Sequence, residues 1–365
     1  MSEPEVERPA ITPEEFLAWR SPRVGVANPT DLTNPLWVWM ARMRLNGYQG
    51  NEAWSGPSSF DAGPMWCFDR FGQSSTKLAD GRTLYIAGEH EDFYDPDFYI
   101  YNDVVVVGPD GSLAIYGYPH EAFPPTDFHS ATLAGGRIVL IGNLGYREHR
   151  IVGKTQVLEL TLETLSVRRI ETHGAAPGWI SDHVATLSPA GTAITVSGGK
   201  LCRSGDQELW ENVDEWELEL STWTWTRQTR KGWPQWGYIR TDRKRNALWD
   251  IRHALWYRGV GWKDDLAKAM KSLVKWLGFE PDLDLVRSLY LLDASVVELP
   301  AREDEHGIVR VVIDGVTVKF DEDGSWVHAV AEGQLTDDRL KALQASVLEK
   351  LSKLTGAQWS FHVPP

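Results

Sequence analysis

The sequence predicts a mainly β fold with helical additions and a small α+β unit near its C-terminal end. Two observations carry this expectation. A set of short apolar runs bounded by turn residues recurs three times between residues 70 and 226, at intervals of about 55 residues. After residue 300 the pattern changes to a hairpin, a further strand and a long amphipathic helix.

Residues 1–69 read as a helical and irregular segment. Thr12 followed by Glu15 forms a capping box, and Pro13 suits the first helical position. Phe16, Leu17 and Trp19 supply the apolar side, and the helix stops by Pro22. A second helix is expected over 35–45, where Leu36, Met40 and Met43 share a stripe. Residues 46–66 are rich in Gly, Ser and Pro and predict an irregular connection.

The repeats occupy residues 70–226. In the first, Ser74-Ser75-Thr76-Lys77-Leu78 leads through Asp80-Gly81 to Thr83-Leu84-Tyr85-Ile86-Ala87-Gly88. His129-Ser130-Ala131-Thr132-Leu133 and His183-Val184-Ala185-Thr186-Leu187 open the other two, which continue to Gly142 and to Gly198-Gly199. Each unit has a second half, such as Val157–Leu160 with Val167-Arg168-Arg169, giving four short strands per repeat. A lone sheet of this kind leaves an apolar face exposed, and stacking side by side buries it.

These units resemble the kelch repeat. The likeness lies in the strand that ends on glycine at Gly88, Gly142 and Gly198-Gly199, and in the apolar pairs Val157/Leu160 and Trp216/Leu218. It also lies in the linker-like Gly174-Ala175-Ala176-Pro177. The resemblance implies a kelch-like β-propeller, with binding as the first expectation for its function. Three units are fewer than a closed ring of at least four blades. The ring would therefore be incomplete, or its other blades would come from divergent flanking sequence. Residues 227–299 are Trp-rich and read as a divergent blade or a helical region. Strands are expected near 246–250 and 254–257, and helices near 264–277 and 283–291. Residues 300–365 predict three antiparallel strands plus a helix, with Asp314-Gly315 as the hairpin turn and Thr336 opening the helix.

Composition narrows the function. The formal net charge is −14, which argues against a general nucleic-acid binder. Cys67 and Cys202 form no disulfide framework and match no metal motif, so no metal or cofactor is expected. No signal peptide and no membrane-length apolar run is visible, which makes a cytoplasmic protein the expectation.

Three groups of residues stand out. The acidic aromatic loop with Glu89, His90, Glu91, Asp92, Asp95, Asp97 and Tyr99 suits a basic partner. His129 and His183 occupy equivalent places in two repeats, where either a structural role or a shared ligand fits; the first repeat has Ser74 there. Trp233, Trp236 and Arg240 mix stacking and basic groups, as interface anchors do. Packing of Trp216, Trp223 and Trp225 in the core is also expected. The sequence shows no strong enzyme motif: no Gly-x-Ser-x-Gly, Rossmann fingerprint, P-loop or His-Glu-x-x-His. The expected function is a non-catalytic protein-binding scaffold, of the adaptor or immunity-protein kind, acting through propeller loops. The alternative is an enzyme of oxidase or isomerase type with a small-molecule site at the propeller centre.

Overall fold

The fold is that of a computed structural model, which describes residues 7–90, 95–205, 208–248, 250–252, 263–302, 307–322, 324 and 326–365. Strand residues outnumber helical ones, and every extended sheet is largely antiparallel. The chain divides into two compact units, Met1–Arg230 and Lys231–Pro365. Among the described residues no helix is long and apolar enough to cross a membrane.

The N-terminal unit contains three four-stranded meanders. The first runs Ser74–Lys77, Thr83–Ile86, Asp103–Val107 and Leu113–Gly117. The second runs Ser130–Ala134, Arg137–Ile141, Val157–Thr161 and Val167–Arg169. The third runs Val184–Leu187, Ala193–Ser197, Trp216–Glu219 and Thr224–Arg227. Short edge pairs extend two of them: Thr30–Asp31 joins the first sheet and His173–Gly174 the third.

Alternation along the strands explains how these sheets stack. Leu84, Ile86, Val104 and Val106 of the first sheet share a core with Ile138, Leu140, Leu158 and Leu160 of the second. The opposite face of the second sheet offers Val139, Ile141 and Val157 to Ile194, Val196 and Leu218 of the third. The two ends of the stack are finished differently. Tyr85, Val105 and Ile115 on the outer face of the first sheet pack against Phe16, Trp37, Met40 and Trp66 from the N-terminal segment. The outer face of the third sheet carries the row Thr186, Thr195, Glu217 and Thr226. A polar outer face lets a stack end without another layer.

Backbone and side-chain bonds repeat between neighbouring sheets. Phe128 N donates to Gly72 O at 3.0 Å, and Asp182 N donates to Phe128 O at 2.9 Å. Gly88 N donates to Thr126 O at 2.9 Å, and Asn143 N donates to Ile180 O at 2.8 Å. Ser74 Oγ and His129 Nε2 share a 2.9 Å hydrogen bond, as Ser130 Oγ and His183 Nε2 do at 2.8 Å. Strand register corrects the repeat alignment by one residue. Ser74, Ser130 and Val184 face Ile86, Ile141 and Ser197 respectively, so Gln73, rather than Ser74, matches His129 and His183. Ser74 is thus the partner of His129 in the preceding sheet and not its counterpart.

The expected helices at Pro13–Trp19 and Pro35–Met43 are present, with Thr12 and Asn34 as N-caps. The connection after them differs from expectation. Helices Gly47–Ala53 and Ser59–Ala62 lie within it, the first opened by a capping box of Asn46 and Gln49. Gly50 lets that helix approach the second, because a Cβ there would lie 2.4 Å from Met40 Cε. Packing outweighs the low helix propensity of the glycines.

The C-terminal unit is built on one six-stranded antiparallel sheet. Its order is Val297–Glu298, Ile308–Ile313, Val316–Asp321, Trp326–Ala331, Gln235–Arg240 and Trp359–His362. The hairpin turn at Asp314-Gly315 and the helix Asp337–Thr355, capped by Thr336, match the sequence pattern. The sheet is wider than the three strands expected. Gln235–Arg240 enters between Trp326–Ala331 and Trp359–His362, which ties the Trp-rich stretch to this unit. Where a strand is expected near 246–250, the described residues 248 and 250–252 are helical instead. Asn246 Oδ1 accepts from Leu248 N, and Ile251 N donates to Ala247 O. The expected strand at 254–257 lies outside the described residues. Helices Lys263–Leu277 and Leu283–Arg287 follow. One core unites Val311, Val318, Phe320, Val327, Leu343, Val347 and Leu351 with Trp236 and Tyr238.

Candidate functional site

In the N-terminal unit the two ends of the sheets differ in the connections they carry. One end has tight turns, where Gly81, Gly111, Gly135 and Gly191 take positive φ. The other end carries the long excursions 88–102, 142–156 and 198–215, together with the linkers 118–129 and 171–183. Long loops held on a rigid frame are where binding groups concentrate.

Over the middle sheet, this end forms an open groove of about 800 Å³. Its walls come from the linker around Pro124-Pro125, the excursion 143–157 and the linker 169–179. Tyr146, Trp179, His149 and Ile151 provide apolar and aromatic surface, while Lys154 and Glu171 provide charge.

The base of the groove is fixed by hydrogen bonds. Buried Asn143 accepts from Asp127 N at 3.0 Å and donates to Pro125 O at 3.0 Å. Asp127 Oδ1 accepts from Gly145 N at 2.6 Å, and burial raises this carboxyl above its ordinary range. Glu89 from the preceding repeat is hydrogen-bonded to the same carboxyl. Trp179 Nε1 donates to Leu144 O at 3.0 Å, and Arg150 Nε donates to the same oxygen at 2.9 Å. Tyr146 OH accepts from Ile100 N at 2.9 Å. Above this base, Ile151 and Val152 are 51% and 46% exposed.

The residues singled out from sequence do not form one cluster. His90 is buried in the first sheet's surroundings, where it fills the space left by Gly47. A Cβ on Gly47 would come within 2.5 Å of its ring. His90 also lines a cavity of about 650 Å³ with Arg44, Gln73 and Tyr85. Tyr99 stacks edge-on against Tyr101 at 5.0 Å, and burial pushes its hydroxyl up to about 12. Asp95 and Asp97 are half-buried. Glu91 and Asp92 lie outside the described residues. The acidic loop therefore turns Glu89, His90 and Tyr99 into packing and hydrogen-bonding groups.

His129 and His183 join neighbouring sheets through their Nε2 atoms. Burial lowers their pKa values to about 3 and about 4, with a further lowering of His129 by His183. Trp233, Trp236 and Arg240 belong to the C-terminal unit. Trp236 is fully buried and donates to Tyr238 OH at 2.9 Å, which corrects its assignment as a contact residue. Lys231 sits over the Trp233 ring at 5.0 Å, and Arg240 pairs with Asp242 at 2.8 Å. Trp216 and Trp225 pack in the core, and Trp223, half-buried in a turn, packs against the same core with Arg137 over its ring at 5.0 Å.

The groove escaped the sequence reading because its walls come from three separated segments. The signal available was the Tyr146–Trp179 region, where aromatic residues and the adjacent Ile151-Val152 pair occupy a long excursion. No protein-family model matches this chain, and no curated protein matches it.

Proposed function

We propose that the N-terminal unit is an arc of kelch-like blades and acts as a protein-binding scaffold of the adaptor or immunity kind. The groove over the middle sheet receives an extended segment of the partner. The observation that carries this reading is the exposure of Ile151 and Val152 beside a groove whose floor is held by buried hydrogen bonds. A preformed floor lowers the ordering cost of binding, and an apolar tip supplies the anchor. The net charge of −14 favours encounter with a basic protein.

The test is the double substitution Ile151→Asp/Val152→Asp in the full chain. Affinity capture with quantified bound proteins should lose a partner by at least tenfold while the circular dichroism spectrum stays unchanged. An identical capture profile for the variant and the wild type would overturn the assignment of the groove.

A further inference from the structure

We infer that the C-terminal unit binds a divalent transition-metal ion of the zinc class between His328 and His362, above Gly237. This inference is independent of the proposed protein-binding role.

The strand Gln235–Arg240 lies between Trp326–Ala331 and Trp359–His362. In that arrangement Gly237 is directly opposite His328 on one side and His362 on the other. Directly opposed residues share a face, so both imidazoles stand on the face that carries Gly237. Helix Asp337–Thr355 contributes to the core on the other face, with Trp236, Tyr238, Val327 and Ala329.

Glycine leaves the middle position of this row without a side chain, and both rings lean over it. A Cβ on Gly237 would lie 2.5 Å from His362 Cε1, 2.7 Å from His362 Nε2 and 3.0 Å from His328 Cδ2. The ring centroids are 6.2 Å apart at 74°. One ring nitrogen of each histidine lies within 4.8 Å of the other's. Two imidazole nitrogens on a tetrahedral zinc ion stand about 3.3 Å apart, given Zn–N bonds of about 2.0–2.1 Å. Small side-chain rotations can close that difference.

The surroundings restrain the first ligand. Trp326 stacks on His328 with centroids 5.8 Å apart and planes at 27°. Asp321 is the cross-strand partner of His328 on its other side, placing a carboxylate beside the imidazole. Carboxylates next to ligating histidines orient the ring and increase its basicity. Two imidazoles favour Zn²⁺, Ni²⁺ or Cu²⁺ over Mg²⁺ or Ca²⁺, which prefer oxygen ligands. Water or a further ligand would complete the coordination shell.

The test uses the full chain stripped of metal and titrated with Zn²⁺ in a calorimeter, with Co²⁺ absorbance as a second readout. The expected result is one equivalent of Zn²⁺ with micromolar affinity, unaffected by millimolar Mg²⁺. His328→Asn and His362→Asn should each weaken binding at least tenfold without changing the circular dichroism spectrum. Gly237→Ala, which fills the space between the rings, should also weaken binding. Absence of stoichiometric Zn²⁺ binding, or equal affinity in the double histidine variant, would overturn the site.

Discussion

The two units solve the burial of β-sheet faces in opposite ways. The N-terminal unit spreads its apolar residues over three successive layers, one beneath the N-terminal helices and two between neighbouring sheets. The C-terminal unit gathers them into one core on a single face of its sheet. In the stacked unit, each inner surface is shared by two sheets, so register between sheets matters as much as register within them. Three kinds of inter-sheet bond repeat with little change in length, and they set that register. In the single-sheet unit, the face away from the core is left for polar residues such as Thr317, Lys319, His328 and His362.

The sharpest test of this comparison concerns two ion pairs with a buried carboxylate, one taken from each unit. Arg70 is completely enclosed and bonds both oxygens of Asp103, at 2.5 and 2.9 Å, as well as Cys67 O and Ala87 O. Its guanidinium also lies 3.3 Å from the Tyr101 ring centroid. Arg70→Met removes the cation from the buried Asp103 carboxylate, which keeps a 3.0 Å hydrogen bond from Trp66 Nε1, and should cost about 3–5 kcal/mol in chemical denaturation. Arg252→Met should cost less. Glu322 keeps a neutral donor, Tyr290 OH at 2.6 Å, as Asp103 does, but Arg252 is 21% exposed where Arg70 is fully enclosed, so water can reach the carboxylate it leaves. A larger loss for Arg252→Met would break the comparison.

Leucine truncation addresses the layering itself. Leu158 and Leu351 are both fully buried, one between the first two sheets and one in the C-terminal core. Each substitution by Ala should cost about 2–5 kcal/mol. Amide hydrogen exchange should separate them. Leu351→Ala should accelerate exchange throughout the C-terminal sheet, whereas Leu158→Ala should act mainly on the first two meanders and spare the third. Equal acceleration in all three meanders would show that the layers do not open separately.

A smaller effect concerns acid. His129 and His183 have folded-state values of about 3 and about 4, below the unfolded value of about 6.5. The unfolded chain takes up protons first as pH falls. The contribution of these rings is therefore complete above about pH 6.5 and is lost progressively down to about pH 4 for His183 and about pH 3 for His129. At pH 5 the loss is about 2 kcal/mol per ring. His129→Gln places at this position the residue type of its first-sheet counterpart, Gln73. It should flatten the stability–pH curve, measured by denaturant titrations at pH 7 and pH 5. An unchanged slope would mean that this ring is not the acid-sensitive joint.

Much of this organisation is legible from residue pattern. The turn glycines, the Asp314-Gly315 hairpin and the caps at Thr12 and Thr336 act over a few residues, and each forms as expected. The candidate sites were less legible. Glu89 and His90 look like loop groups in sequence, yet one bonds Asp127 of the next repeat and the other fills the space beside Gly47. Those outcomes depend on partners far away in the chain.

The sequence by itself determined the three four-stranded repeats, their glycine turns and the final hairpin and helix, because local sterics and strand periodicity fix them. Tertiary structure decided how the stack ends, which segments wall the groove and which strand separates His328 from His362. The physical reason is that each depends on a meeting between distant segments. The insertion of Gln235–Arg240 shows this most clearly: its tryptophan, glycine and tyrosine mark no distinct period, but the sheet supplies hydrogen-bonding partners along both of its edges.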